Sequence, residues 1–143
     1  MQDLIAKLND TCCLAAEAAD GHTVTSDRKG IRTLLDMADT PEAFRGGRIA
    51  DKIVGRAAAF LMIRCGFRQV YAETVSDGAL ALLEAAGSPC TFGIRTPYIQ
   101  NRAGTGPCPM DTLVAALHQP DEAYEAMKQY WEEKDREQAS PVK

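Results

Sequence analysis

Apolar positions along this chain recur with two periods, and the switches between them mark out its elements. Leu4, Ile5 and Leu8 lie at helical spacing ahead of Asn9-Asp10, which predicts a short amphipathic turn or two. Thr11 to Ala19 is small and apolar, Asp20-Gly21 interrupts it, and His22-Thr23-Val24-Thr25 resumes with strand-favouring residues. The Asp-Gly dipeptide makes that pair a β-hairpin. Ile31, Leu34, Leu35 and Ala38 then follow helical spacing, predicting a helix capped by Ser26-Asp27 and ending near Asp39. Thr40-Pro41-Glu42 opens a short helical connection that Gly46-Gly47 closes, and Arg48-Ile49-Ala50 reads as a brief buried strand.

From Asp51 the apolar residues fall on nearly every face, through Ile53, Val54 and the run Ala57 to Ile63, until Gly66 supplies a left-handed stop. This predicts a central, buried helix. Gln69 to Val75 is β-rich, Ser76-Asp77 caps a helix through Leu83 that ends at Gly87, and Cys90 to Ile94 gives another strand. Strands alternating with helices imply parallel neighbours joined by right-handed crossovers, with the hairpin adding an antiparallel edge. The expected fold is α/β, a three-layer α/β/α sandwich around a mixed sheet. Tyr98 to Met110 is a Gly- and Pro-rich loop, Asp111 to Leu117 a short helix, and Pro120 opens a last helix. There Ala123, Tyr124, Met127, Tyr130 and Trp131 form one stripe. The expected organisation is a single domain over residues 1–119, an amphipathic helix over 120–137 docked on it, and a frayed tail over 138–143 containing Ser140-Pro141.

Composition narrows the class. The chain has 143 residues, 45% of them hydrophobic and 25% charged, as in one globular domain. Lys+Arg 16 against Asp+Glu 20 leaves a net charge of -4, so no global basic field exists to hold a nucleic-acid backbone or an anionic membrane. The apolar run Ala57 to Ile63 is far shorter than the roughly 20 residues that span a bilayer. Five cysteines, with Cys12-Cys13 adjacent and no signal-like segment ahead of them, argue for a reduced, cytoplasmic protein. Self-association into a homo-oligomer is left open.

Candidate chemistry gathers at three junctions. In Asp51-Lys52-Ile53-Val54-Gly55-Arg56, charged groups stand where a strand yields to a helix, the place where parallel sheets present amide donors to anions. Asp51 could serve as an acid or nucleophile and Lys52 as a base, with Gly55 and Arg56 binding ligand; the plain alternative is an N-cap and a solvated lysine. In Asn101-Arg102-Ala103-Gly104-Thr105-Gly106-Pro107-Cys108, the glycines suit an anion nest, so that Asn101, Arg102, Gly104, Thr105 and Gly106 are candidate ligand contacts. Cys108 precedes a helix start, where thiols gain reactivity; otherwise it packs inward. The third junction, Ser26-Asp27-Arg28-Lys29-Gly30, offers Arg28 and Lys29 to an acidic group. No zinc spacing is present, and His22 and His118 are isolated, so neither a metal nor a catalytic triad is expected.

The stretches Asp51 to Ala59 and Asn101 to Asp111, with Gly30-Ile31-Arg32-Thr33-Leu34-Leu35, Val70-Tyr71-Ala72-Glu73 and Pro97-Tyr98-Ile99-Gln100, resemble a bacterial and archaeal family, domain of unknown function 1893. The resemblance covers roughly residues 11 to 117. It implies a cytidine-deaminase-like fold, with which the hairpin, helix, strand, helix, strand order is compatible. Zinc deaminases carry His-x-Glu or Cys-x-Glu and Pro-Cys-x-x-Cys at two helix starts. Those starts here read Ser26-Asp27-Arg28-Lys29-Gly30 and Ala50-Asp51-Lys52-Ile53-Val54, so the resemblance implies a zinc-free relative with no cofactor. Pro107-Cys108-Pro109-Met110-Asp111 mimics the second signature only by coincidence, since it follows the last core strand. The expected partner is a nucleotide-like or phosphorylated small molecule. The alternatives are a metal-independent group-transfer or hydrolytic enzyme using Asp51, Lys52 or Cys108, and an interaction module acting through the stripe of Tyr124, Tyr130 and Trp131.

Overall fold

Residues that alternate along the strands divide between two separate clusters, so the sheet has two unlike faces. Leu14, Ala16, Ile49, Val70 and Ala72 join the main core, whereas the intervening Ala15, Ala50 and Tyr71 meet Leu4 on the opposite side. The computed structural model describes residues 1–101 and 103–139. Its elements run α1 (Gln2–Ile5), β1 (Leu14–Glu17), β2 (Thr23–Ser26), α2 (Arg32–Met37), a 3-10 turn (Pro41–Phe44), β3 (Arg48–Val54), α3 (Arg56–Cys65), β4 (Gln69–Ser76), α4 (Asp77–Ala85), β5 (Cys90–Thr96), α5 (Pro109–Leu113) and α6 (Pro120–Ala139). The five strands lie in the order β2-β1-β3-β4-β5. β1 is antiparallel to both β2 and β3, and β3, β4 and β5 are parallel, so the mixed α/β sheet with its N-terminal hairpin is as the sequence predicts. The helices are unevenly shared. α2, α3, α4 and α6 contribute to the main core, while the other layer is reduced to α1, tied down by Arg48, which pairs with Glu17 at 2.6 Å and Asp3 at 3.1 Å.

Several boundaries differ from the sequence reading, each for a local reason. β3 does not stop at Ala50. It continues through Asp51 and Lys52 to Val54, because β-branched Ile53 and Val54 ladder against Thr74 and Val75 of β4. Asp51 is therefore a strand residue, not a helix cap, and α3 begins only after Gly55. Ser26-Asp27 does not cap α2 either. Ser26 ends β2, its hydroxyl bonded to the Thr33 hydroxyl at 2.8 Å and taking the Arg28 amide at 3.1 Å, and α2 starts without a side-chain cap. α5 starts two residues early, at Pro109, and is finished by Leu113. α6 continues past 137 to Ala139, and the Ser140-Pro141 tail lies outside the described residues.

α3 is the central buried helix, with Ala57, Ala59, Phe60, Leu61 and Met62 sealed from solvent and Gly66 closing it at φ 73°. α6 docks on it. Ala123 and Met127 are fully buried, the Tyr124 hydroxyl donates to Asp39, and the Arg64 guanidinium stacks 3.9 Å over the Tyr124 ring while pairing with Asp121 at 2.6 Å. Ala123, Tyr124 and Met127 of the apolar stripe are thus spent on the protein's own core. Among the described residues no helix is long and apolar enough to cross a membrane.

Candidate functional site

Where β3 runs out toward α3, the helix-bearing face of the sheet opens into a cavity of about 750 Å³. Its position follows from the strand ladder. Asp51 pairs in register with Leu14 and Ala72, both members of the helix-side core, so its side chain lies on that face at the end of the strand. Leu14, Ile31, Ala57, Ala58, Ile99 and Met110 make much of the wall apolar. Tyr130 and Trp131 from α6 close one side, their rings edge to face at 5.2 Å, with the Arg32 guanidinium 4.5 Å over the indole. Cys13, Gln100, Asn101 and Cys108 add polar atoms, and Arg28, Lys29 and Gly30 bring in the loop between β2 and α2.

Burial pushes the Asp51 carboxyl up to about 7, aided by the charge of Glu73 and opposed only in part by the Ile53 and Lys52 amides. At neutral pH it is therefore divided between acid and carboxylate. Asp111, the other carboxyl in the wall, is also raised by burial, against the pull of the Ala57 and Arg56 amides and the Arg56 guanidinium. It has a definite structural task. Its Oδ1 accepts the Ala57 amide at 2.8 Å, supplying from α5 the cap that Gly55 cannot provide for α3. A β-carbon on Gly55 would collide with that carboxylate, so the glycine is needed for close approach; its φ of -99° is unremarkable.

The predicted residues separate into two groups. Asp51, Lys52, Gly55, Arg28, Lys29, Asn101 and Cys108 all reach the cavity wall, although strand alternation turns the Lys52 side chain away from that of Asp51. Arg56, Gly104, Thr105 and Gly106 do not line it. Arg56 binds the carbonyls of Leu117 at 2.8 Å and Val114 at 3.4 Å and lies over the Phe60 ring, fastening the end of α5 instead of a ligand. In the glycine loop Asn101 Oδ1 takes the Thr105 amide at 3.1 Å and the Asn101 carbonyl takes the Gly104 amide at 3.0 Å, so these two donors are engaged within the loop. Arg102 lies outside the described residues. Cys108 occupies the position before α5, its amide held by the Ile99 carbonyl at 2.8 Å. Sequence reasoning missed Asp111, Tyr130 and Trp131 as wall residues. The aromatic pair carried a signal, the apolar stripe, but that signal does not say what the stripe will face. Among the described residues no group of three or more His, Cys, Asp and Glu side chains is placed to hold a metal ion.

The family model described as domain of unknown function 1893 (DUF1893) matches residues 1–131. The chain belongs to the DUF1893 family. This DUF1893 chain is also similar to the crystal structure of a DUF1893 family protein from Thermotoga maritima, at 22% identity and a TM-score of 0.75, over 83% of this chain and 80% of that one. At that identity the likeness speaks to the fold alone. No curated protein matches this DUF1893 chain.

Proposed function

We propose that this DUF1893 protein binds a nucleotide-like or phosphorylated small molecule in the cavity at the end of β3, on a deaminase-like scaffold without the zinc-binding signatures. The observation that carries this reading is the cavity itself: about 750 Å³, apolar and aromatic in its walls, with a few polar groups at defined places, which is the usual make-up of a small-molecule site. Arg28 and Lys29 at its edge are the groups that would meet a phosphate; Arg28 now pairs with Asp36 at 3.3 Å in an exposed, readily exchanged contact. The deaminase-like detail rests on the resemblance of the motif stretches. A thermal-shift screen against nucleosides, nucleotides, nucleotide sugars and phosphorylated metabolites tests the reading. A ligand at a hundred times its Kd adds about 2.7 kcal/mol, a readily visible shift. The shift should shrink in the Arg28→Ala/Lys29→Ala variant, and silence across the panel from folded protein would overturn the reading.

One observation favours a second reading, that of an enzyme. Asp51 titrates near neutrality, where a group can both give and take a proton, as general acid–base catalysis requires. Any ligand found by the screen should then be assayed for turnover with wild type and Asp51→Asn. Binding without turnover would leave the first reading alone.

A further inference from the structure

We propose that β5 is the interface of a homodimer, in which its outer edge pairs antiparallel with the same edge of a second copy about a two-fold axis near Gly93. The proposal is independent of the cavity and its ligand. β5 closes one side of the sheet, with β4 its one strand neighbour among the described residues. An edge strand presents a row of unpaired backbone donors and acceptors, and native chains blunt such edges by keeping them short, charged or covered. The opposite edge follows that rule, since β2 has only four residues, Thr23–Ser26. β5 breaks it. The strand runs for seven residues, Thr91 to Arg95 are exposed in succession, and the large apolar Phe92 and Ile94 are 40% and 63% exposed. No proline and no charge interrupts it before Arg95.

The charges beside the strand choose a second copy of this chain as the partner. Near the end of β5, Arg95 gives its Nε to Asp77 of α4 at 2.6 Å, and a guanidinium has further donors for a second carboxylate. Glu84, exposed on α4, stands with Cys90 at the start of the strand. The α4 side of this edge therefore carries a cation at one end and an anion at the other. Antiparallel pairing reverses one strand against the other and sets each Arg95 toward the partner's Glu84, twice over. Parallel pairing would set Arg95 beside Arg95 and Glu84 beside Glu84, which like charges oppose. The same axis gathers Phe92 and Ile94 of both strands at the centre, where they cover one another, and the backbone ladder joins two five-stranded sheets into one. Each copy spends its long edge on the other, so assembly closes at two.

Sedimentation equilibrium across a concentration series tests the proposal, with reductant present so that Cys90 cannot cross-link two copies. The proteins are wild type, Ile94→Lys, Arg95→Glu and the double variant Arg95→Glu/Glu84→Arg, each checked for its fold by circular dichroism. Wild type should approach twice the 15.5 kDa of the chain. Ile94→Lys, a change at an exposed position, should be monomeric. Arg95→Glu should weaken the dimer by about tenfold, and reversing Glu84 as well should restore most of that loss, which the broken Asp77 pair alone would not allow. Wild type that stays monomeric, a dimer that Ile94→Lys leaves intact, or a double variant as weak as Arg95→Glu would overturn the proposal.

Discussion

Asp51 makes the protein's stability depend on pH with a definite sign. Its carboxyl, 3.8 in its ordinary state, is raised to about 7 by burial, so between these values the folded state keeps a proton that the unfolded state has released. Stability should therefore fall as pH rises through that window and level off above it. Asp51→Asn should stabilise the protein at pH 8 by up to about 4 kcal/mol while changing little at pH 4, as read from urea denaturation at the two pH values. Parallel pH profiles for the two proteins would refute it. Thiol reactivity is also decided residue by residue. Burial raises Cys65 to about 12, and Cys65 is sealed from solvent, whereas Cys12 and Cys108 are partly exposed. Iodoacetamide at pH 8 should label Cys12 and Cys108 before Cys65, which peptide mass spectrometry would resolve.

At the level of elements, the start of α3 depends on a contact made across 54 residues, Asp111 to Ala57. Gly55→Ala displaces the Asp111 carboxylate, and Asp111→Ala removes it; each should cost about 1–2 kcal/mol through the lost cap. Because both changes break the same contact, the double variant should cost clearly less than the sum, as a double-mutant cycle by denaturant unfolding would measure. Strict additivity would mean that the cap contributes nothing. Arg56 belongs to the same junction. Arg56→Ala frees the Val114 and Leu117 carbonyls and should loosen the chain after α5 without removing a ligand contact.

At the scale of the whole molecule, one core runs from β1 to α6, including Met127 and Ala123 of the last helix. The sequence predicts an amphipathic helix docked on the domain, and Ala123 and Met127 of that helix are buried in the main core. Trp131, the chain's only tryptophan, lies on α6, so its fluorescence reports that helix while far-ultraviolet circular dichroism reports the whole. The two unfolding curves should coincide. Earlier loss of the fluorescence signal would show α6 to be a separate unit. Met127→Ala should lower the common midpoint by the equivalent of about 2–4 kcal/mol, since it empties a fully enclosed position.

Sequence alone determined the hairpin, the mixed α/β sheet, the Ser76 cap and the stops at Gly66 and Gly87, because periodicity, capping and left-handed glycines act over a few residues. It also singled out Asp51 and Gly55 at one junction and Cys108 at another, all of which line the cavity. The end of β3 was not legible, since an apolar run with Ile53 and Val54 suits a buried helix as well as a strand until β4 lies beside it. Nor could local pattern show that Arg56 turns to α5, that the Gly104 and Thr105 amides are taken by Asn101, or that Asp111 and the Tyr130–Trp131 pair complete the cavity. Those are contacts between distant segments. Tertiary structure decides them because a side chain's partner is fixed by where the sheet and α6 place it, and its neighbours in sequence carry no record of that position.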